Sequence, residues 1–138
     1  MEPLAAIWLI CADVEHSIAW YRDVLGLTQL EGAHFDAGGV RLSLHPVTGE
    51  GEVRSGGFFL VFVVDDVDSR YAELSGRGIE FVAPPGEEPF GRAAEFRDPD
   101  GHPLWLWQLP AEDDPRRARV GPHARHHSLL VARLGRNG

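Results

Sequence analysis

Lysine is absent from this 138-residue chain, and all 13 basic residues are arginine. Cysteine occurs once, as Cys11. That excludes an intrachain disulfide and any site built from several thiolates. A lone cysteine fits a reducing cytoplasm, where the protein is expected. No apolar run approaches the ~20 residues of a membrane span. The N-terminus has no secretory-leader pattern. Positive charge is also scarce, with 21 acids leaving a net charge of −8. Residues 1–110 hold 18 acids against 7 Arg, or −11, while residues 111–138 hold 3 acids against 6 Arg, or +3. The basic end also carries His123, His126 and His127. An acidic body argues against nucleic acid as a partner, and the lack of an apolar span argues against a membrane. What is present is 43% apolar content, enough for one compact domain or two packed modules. Four tryptophans, Trp8, Trp20, Trp105 and Trp107, are many for this length.

Two segments resemble each other. Residues 5–27 read AAIWLICADVEHSIAWYRDVLGL, and residues 58–81 read FFLVFVVDDVDSRYAELSGRGIEF. Each is an apolar run, then Asp-Val-acid, then a helical pattern, then Gly and an apolar residue. A repeat at this spacing predicts two copies of one supersecondary unit. Residues 5–11 and 58–64 are short and β-rich, so they read as strands. Asp13 and Asp66 are placed to cap helices. Ile18, Tyr21 and Leu25 give residues 15–25 an apolar helical face, and Tyr71 and Leu74 begin the same stripe in the second copy. Gly26 and Gly78 stand where a helix ends in a left-handed residue. Three strands are predicted after each helix, at 28–31, 33–37 and 40–46, then at 79–83, 92–97 and 103–108. Asp36–Gly39 and Asp98–Gly101 are turn signals. Segments 47–57 and 84–91 (the latter rich in Pro) read as loops.

A βαβββ repeat with an Asp-capped first helix resembles the vicinal-oxygen-chelate superfamily of glyoxalases, extradiol dioxygenases and bleomycin-resistance proteins. The residues that carry the resemblance are DVEHSIAWYRDVLGL (13–27), VDDVDSRYAELSGRG (64–78) and FRDPDGHPLWL (96–106). They are spread over residues 4–109. The resemblance implies an α+β fold of two βαβββ modules whose sheets curl around a cavity. Module one is expected over 4–46 and module two over 57–109. They lie within a single domain, 1–110, followed by a basic tail, 111–138.

Metal-dependent members of the family place a His, Glu or Gln on the first and last strand of each module. Transferred by motif, these positions are Ala6, Ser43, Phe59 and Trp105. Three of the four carry no donor, and a neutral serine hydroxyl is a poor ligand by itself. A divalent ion needs several convergent donors with charge to match. Shifting the register by one turns every side chain to the other face. Shifting it by two gains His45 but no second donor. No catalytic metal and no cofactor are therefore expected.

Side chains two apart on a strand share a face. One face holds Ala6, Trp8, Ile10, Arg41, Ser43, His45, Phe59, Val61, Val63, Pro103, Trp105 and Trp107. The other holds Ile7, Leu9, Leu42, Leu44, Leu60, Phe62, Leu104 and Leu106, suited to packing against helices. The first face is a candidate ligand site formed by Trp8, Arg41, Ser43, His45, Phe59, Trp105 and Trp107. Aromatic walls with a few polar groups suit a flat aromatic small molecule, and the acidic body favours a cationic one. The alternative is that these rings fill a closed sheet or a dimer interface. Arg41 is expected to pair with Glu95 or Asp36. His16 and His102, beside a cap and a turn, read as solvated. Cys11 reads as a buried, inert thiol, and Trp20 as a packing residue. His45 lacks an orienting carboxylate, so no catalytic residue is assigned.

Within the family the chain most resembles the bleomycin-resistance branch, whose members lack the metal and sequester drugs as dimers. The leading expectation is a homodimer that binds an aromatic antibiotic or natural product without changing it. The alternatives are a metal-free enzyme of natural-product metabolism using His45, Arg41 or Glu95, a metal-dependent glyoxalase-like enzyme, and a degenerate member that mainly dimerises. In the tail, prolines 110, 115 and 122 read as linker. Residues 128–134 are apolar enough for one strand or helical turn, and His126–His127 is a weak chelating pair.

Overall fold

Two carboxylates start the two helices. Asp13 accepts the backbone N–H of His16 at 3.1 Å, and Asp66 accepts that of Ser69 at 3.2 Å. First-turn amides have no partner inside their helix, and such a cap contributes about 1 kcal/mol. The computed structural model describes residues 4–47 and 58–120. In it α1 spans Val14–Ala19 and continues as a π-helical turn, Trp20–Leu25, while α2 spans Val67–Gly76. Gly26 ends the first helix at φ +86°, a left-handed conformation that costs glycine little. Residues 128–134 and His123, His126 and His127 lie outside the described residues, as does most of the loop expected over 47–57.

The strands repeat as the helices do. β1 (Ala6–Cys11), β2 (Thr28–Glu31), β3 (His34–Asp36) and β4 (Arg41–Pro46) form one sheet in the order β1-β4-β3-β2. β5 (Leu60–Val63), β6 (Phe81–Glu88), β7 (Gly91–Arg97) and β8 (Pro103–Gln108) form the second in the order β5-β8-β7-β6. In both, the first strand pairs with the last in parallel and the rest are antiparallel. The fold is therefore α+β, with two βαβββ modules and two open four-stranded sheets.

One predicted loop is a strand. Residues 84–91 were expected to be irregular because of Pro84, Pro85 and Pro89, yet β6 runs through to Glu88. The register with β7 shifts between Phe81 and Ala83 and again between Ala83 and Gly86. β6 is also an edge strand. Prolines lack an N–H, and edges and bulges are where a sheet tolerates that.

The helix-facing side of each sheet is the core. Leu9, Cys11, Leu42 and Leu44 from the first sheet and Leu60, Leu104 and Leu106 from the second join one buried cluster with Ile18, Tyr21, Phe35, Leu74 and Phe96. Trp20 packs on Tyr21 and Phe96, with ring centroids 4.9 and 6.3 Å away, so the first helix reaches into the second module. Polar groups repeat this link. Tyr21 donates to Asp98 at 2.6 Å, the Ala12 N–H to Asp100 at 2.8 Å, and the His102 ring to the Ile10 carbonyl at 2.8 Å. His102 is buried, not solvated, because the β7–β8 turn tucks under β1 rather than projecting outward.

A third helix, α3 (Arg117–Val120), follows β8. Arg116 pairs with Glu87 at 2.9 Å and Asp114 at 2.8 Å, and Arg92 joins Glu87 to Asp68. The start of the basic segment is thus held on the acidic second module. The partners are largely exposed, so each pair contributes little.

Candidate functional site

Within each sheet the strand registers set the predicted residues side by side. Ala6, Trp8 and Ile10 stand beside Arg41, Ser43 and His45 respectively. In the second sheet Val61 and Val63 stand beside Trp105 and Trp107. β3 adds His34 opposite Ser43, and β7 adds Glu95 opposite Trp105.

In module one this face joins an exposed ring to polar groups. Trp8 is 65% exposed and stacks on the His45 imidazole, with centroids 4.0 Å apart and planes at 24°. His45 Nε2 is shielded from solvent and has no hydrogen-bond partner among the described residues. Ser43 is fully buried, and its hydroxyl lies 2.6 Å from His34 Nδ1. Arg41 is exposed and stands opposite Asp36 in the register, but forms no ion pair among the described residues. Its expected partners are occupied. Asp36 accepts the Gly38 and Gly39 amides at 3.0 Å, and Glu95 binds Arg97 at 3.0 Å.

In module two the same face is a set of fixed indoles. Trp105 Nε1 donates to Glu95 at 2.6 Å, and Trp107 Nε1 donates to the Phe90 carbonyl at 2.9 Å. The Phe90 ring lies 6.0 Å from both indoles, and Phe59 lies 5.2 Å from Trp105. With each indole N–H engaged, the ring planes are set and what remains to be offered is a π-face. Phe59 and Val61 are about half exposed.

The four positions that would hold the family's metal carry the side chains of Ala6, Ser43, Phe59 and Trp105. These supply a single oxygen, Ser43 Oγ, and His34 already engages it. Such a donor set does not fit a divalent ion.

His34, Glu95 and Phe90 enlarge the predicted site. His34 was findable, because a hairpin turning at residues 37–39 sets residue 34 against residue 43. Glu95 had been considered only as an acid–base group or as a partner for Arg41. Phe90 lay in the presumed loop, and nothing in the local sequence marked it.

The comparisons with known proteins agree with this architecture. The model of the glyoxalase/bleomycin resistance protein/dioxygenase superfamily matches residues 4–106. The uncharacterized protein YraH of Bacillus subtilis (strain 168) is 32% identical over 126 residues, covering 77% of this chain and 98% of that protein. A glyoxalase/bleomycin resistance protein/dioxygenase from Nocardioides superposes with a TM-score of 0.68 at 22% identity, covering 83% of this chain and 88% of that one. TnmS3, an antibiotic binding protein from Streptomyces sp. CB03234, superposes with a TM-score of 0.66 at 25% identity, covering 80% and 98%. With the repeat, the sheet order and the family model in agreement over most of its length, the chain belongs to the glyoxalase/bleomycin resistance protein/dioxygenase superfamily.

Proposed function

We propose that the protein binds a flat aromatic small molecule, an antibiotic or related natural product, without a metal and without changing it. The observation that carries this reading is the aromatic face. Trp105 and Trp107 are oriented by hydrogen bonds at their edges, Phe59 and Phe90 flank them, and Trp8 is exposed on the other sheet. Rings fixed in this way lose little freedom when a ligand stacks on them. Arg41 supplies an exposed polar group of the kind such a site needs, and the His45 ring backs Trp8. The antibiotic-binding relative on the same fold supports the choice of ligand class. The acidic body favours a cation and disfavours nucleic acid and anionic membranes. No helix among the described residues is long and apolar enough to cross a membrane. The reading places the protein in the cytoplasm, where the buried Cys11 stays reduced.

The cleft is shared between two copies of the chain. Trp8 and Ile10 on one sheet, and Phe59 and Val61 on the other, are exposed apolar side chains that a second copy would cover, which supports this reading. A second copy would bring one sheet's face against the other's. Light scattering on the purified chain is expected to give the mass of a dimer. A monomer at micromolar concentration would remove the shared cleft.

Titration with bleomycin-type and polycyclic aromatic antibiotics, read by tryptophan fluorescence, tests the binding itself. Saturable quenching with the compound recovered intact is expected. Trp105→Ala should weaken binding by about 1–3 kcal/mol while the fold survives. Unchanged affinity in that variant would defeat the stacking model. Recovery of an altered compound, with turnover abolished by His45→Ala, would make the protein a metal-free enzyme instead.

A further inference from the structure

The turn from β7 to β8 gathers charge away from the aromatic face. Asp98 Oδ1 accepts the backbone N–H groups of Asp100 and His102 at 2.9 and 2.8 Å, and Asp98 Oδ2 accepts the Tyr21 hydroxyl at 2.6 Å. Asp100 Oδ1 accepts the Ala12 N–H at 2.8 Å, and Asp100 Oδ2 accepts the Ser17 hydroxyl at 3.2 Å. Each carboxylate oxygen has two lone pairs. Asp98 Oδ1 is therefore saturated, while Asp98 Oδ2 keeps one lone pair and the Asp100 carboxylate also faces the Cys11 thiol.

His102 supplies an independent observation. It is only 2% exposed. Its Nε2 lies 2.8 Å from the Ile10 carbonyl oxygen, which can only accept, so Nε2 carries the proton. Nδ1 is buried and has no hydrogen-bond partner among the described residues. One ligand atom from each of Asp98, Asp100 and His102 lies within 4.8 Å of the other two. Neither carboxylate forms an ion pair among the described residues. Buried negative charge is costly, and for Asp98 the cost of burial outweighs the help it gets from His102 and its hydrogen bonds. Its effects reach the neighbours. Burial pushes the Asp98 carboxyl above the usual range, and burial together with these carboxylates pushes the nearby Cys11 thiol up to about 12.

We propose that Asp98, Asp100 and His102 hold a divalent transition-metal ion within the β7–β8 turn of module two, stiffening the turn that hydrogen-bonds β1 and α1 of module one. An imidazole with two carboxylates suits an ion such as Zn²⁺ or Mn²⁺ better than the all-oxygen cages of Ca²⁺ and Mg²⁺. The Ile10 carbonyl plays the usual outer partner, fixing the tautomer and the ring orientation of a ligating histidine. Donors about 2.0–2.2 Å from the ion would draw the three side chains slightly together. The role is structural, because the site lies at a module junction and not on the aromatic face.

The test uses the full chain carrying His123→Ala, His126→Ala and His127→Ala, so that the tail histidines cannot chelate. Equilibrium dialysis against Zn²⁺ is expected to give one bound ion per chain, with a rise in melting temperature. Asp100→Asn and His102→Gln should each weaken binding about tenfold or more and remove the thermal shift. Asp100→Asn keeps an acceptor for the Ala12 N–H, and near-UV circular dichroism confirms folding. Anomalous scattering from zinc-soaked crystals of the same chain locates the ion without any variant in the cluster. A peak between the three side chains supports the proposal. No binding, binding unaltered by both substitutions, or a peak elsewhere overturns it. Ligand quenching of tryptophan fluorescence is measured in parallel, so the cation site and the aromatic site succeed or fail separately.

Discussion

Phe96→Ala is expected to lower the unfolding free energy by about 3–5 kcal/mol, measured by urea denaturation. Phe96 is fully buried on β7, between Trp20 of the first module and Phe81 of the second, with centroids 6.3 and 5.1 Å away. Truncation would leave a cavity at the seam between the modules. Neither neighbour collapses into it easily, since Trp20 is held by the first helix and Phe81 by a strand. A typical domain has only about 5–15 kcal/mol to lose. In the monomer, Phe59→Ala removes the same side chain from the other side of the sheet, where the ring is half exposed, and should cost under about 1 kcal/mol. The contrast tests the assignment of faces. Equal losses from the two substitutions would mean that the aromatic face is part of the core.

The two faces were legible because strand parity is a strict code. Once β1 and β8 were located, Leu9 and Leu104 had to point one way and Trp8 and Trp105 the other. The repeat located the strands, and the capping aspartates fixed where the first strand of each module ended. Legibility failed where long-range packing decided. His102 sits in a turn that would be solvated by itself, and only the approach of β1 buries it. Arg41 was assigned partners by charge, but Glu95 is taken by Arg97 and Trp105, which share its module. The Pro-rich segment read as a loop because proline weakens strands in general, whereas this strand lies at an edge and bulges twice. Phe90 was lost with it, so the ring that touches both indoles of the site went unseen.

That hairpin also carries the second large effect. Gly91→Ala should destabilise the protein by about 2–4 kcal/mol and loosen the aromatic site with it. Gly91 has φ +136°, a conformation L side chains rarely adopt, and strain of that kind costs on the order of 1–3 kcal/mol. A Cβ there would also run into the backbone carbonyl of Gln108, which β8 cannot withdraw without giving up its pairing with β7. It would stand 2.9 Å from Trp107 Nε1, the atom that donates to the Phe90 carbonyl. Freeing that indole costs a further ~0.5–1.5 kcal/mol. It also releases the two rings that the hydrogen bond holds together, so ligand quenching should fall along with stability. Gly32→Ala is the control. Gly32 has φ +56°, and a Cβ added there meets nothing within 4 Å, so only the backbone cost of about 1–2 kcal/mol applies. Its ligand quenching should match the wild type. If the two variants melt together and quench alike, the close approach of β7 to Trp107 does not hold the site, and the indole is oriented by its ring contacts alone.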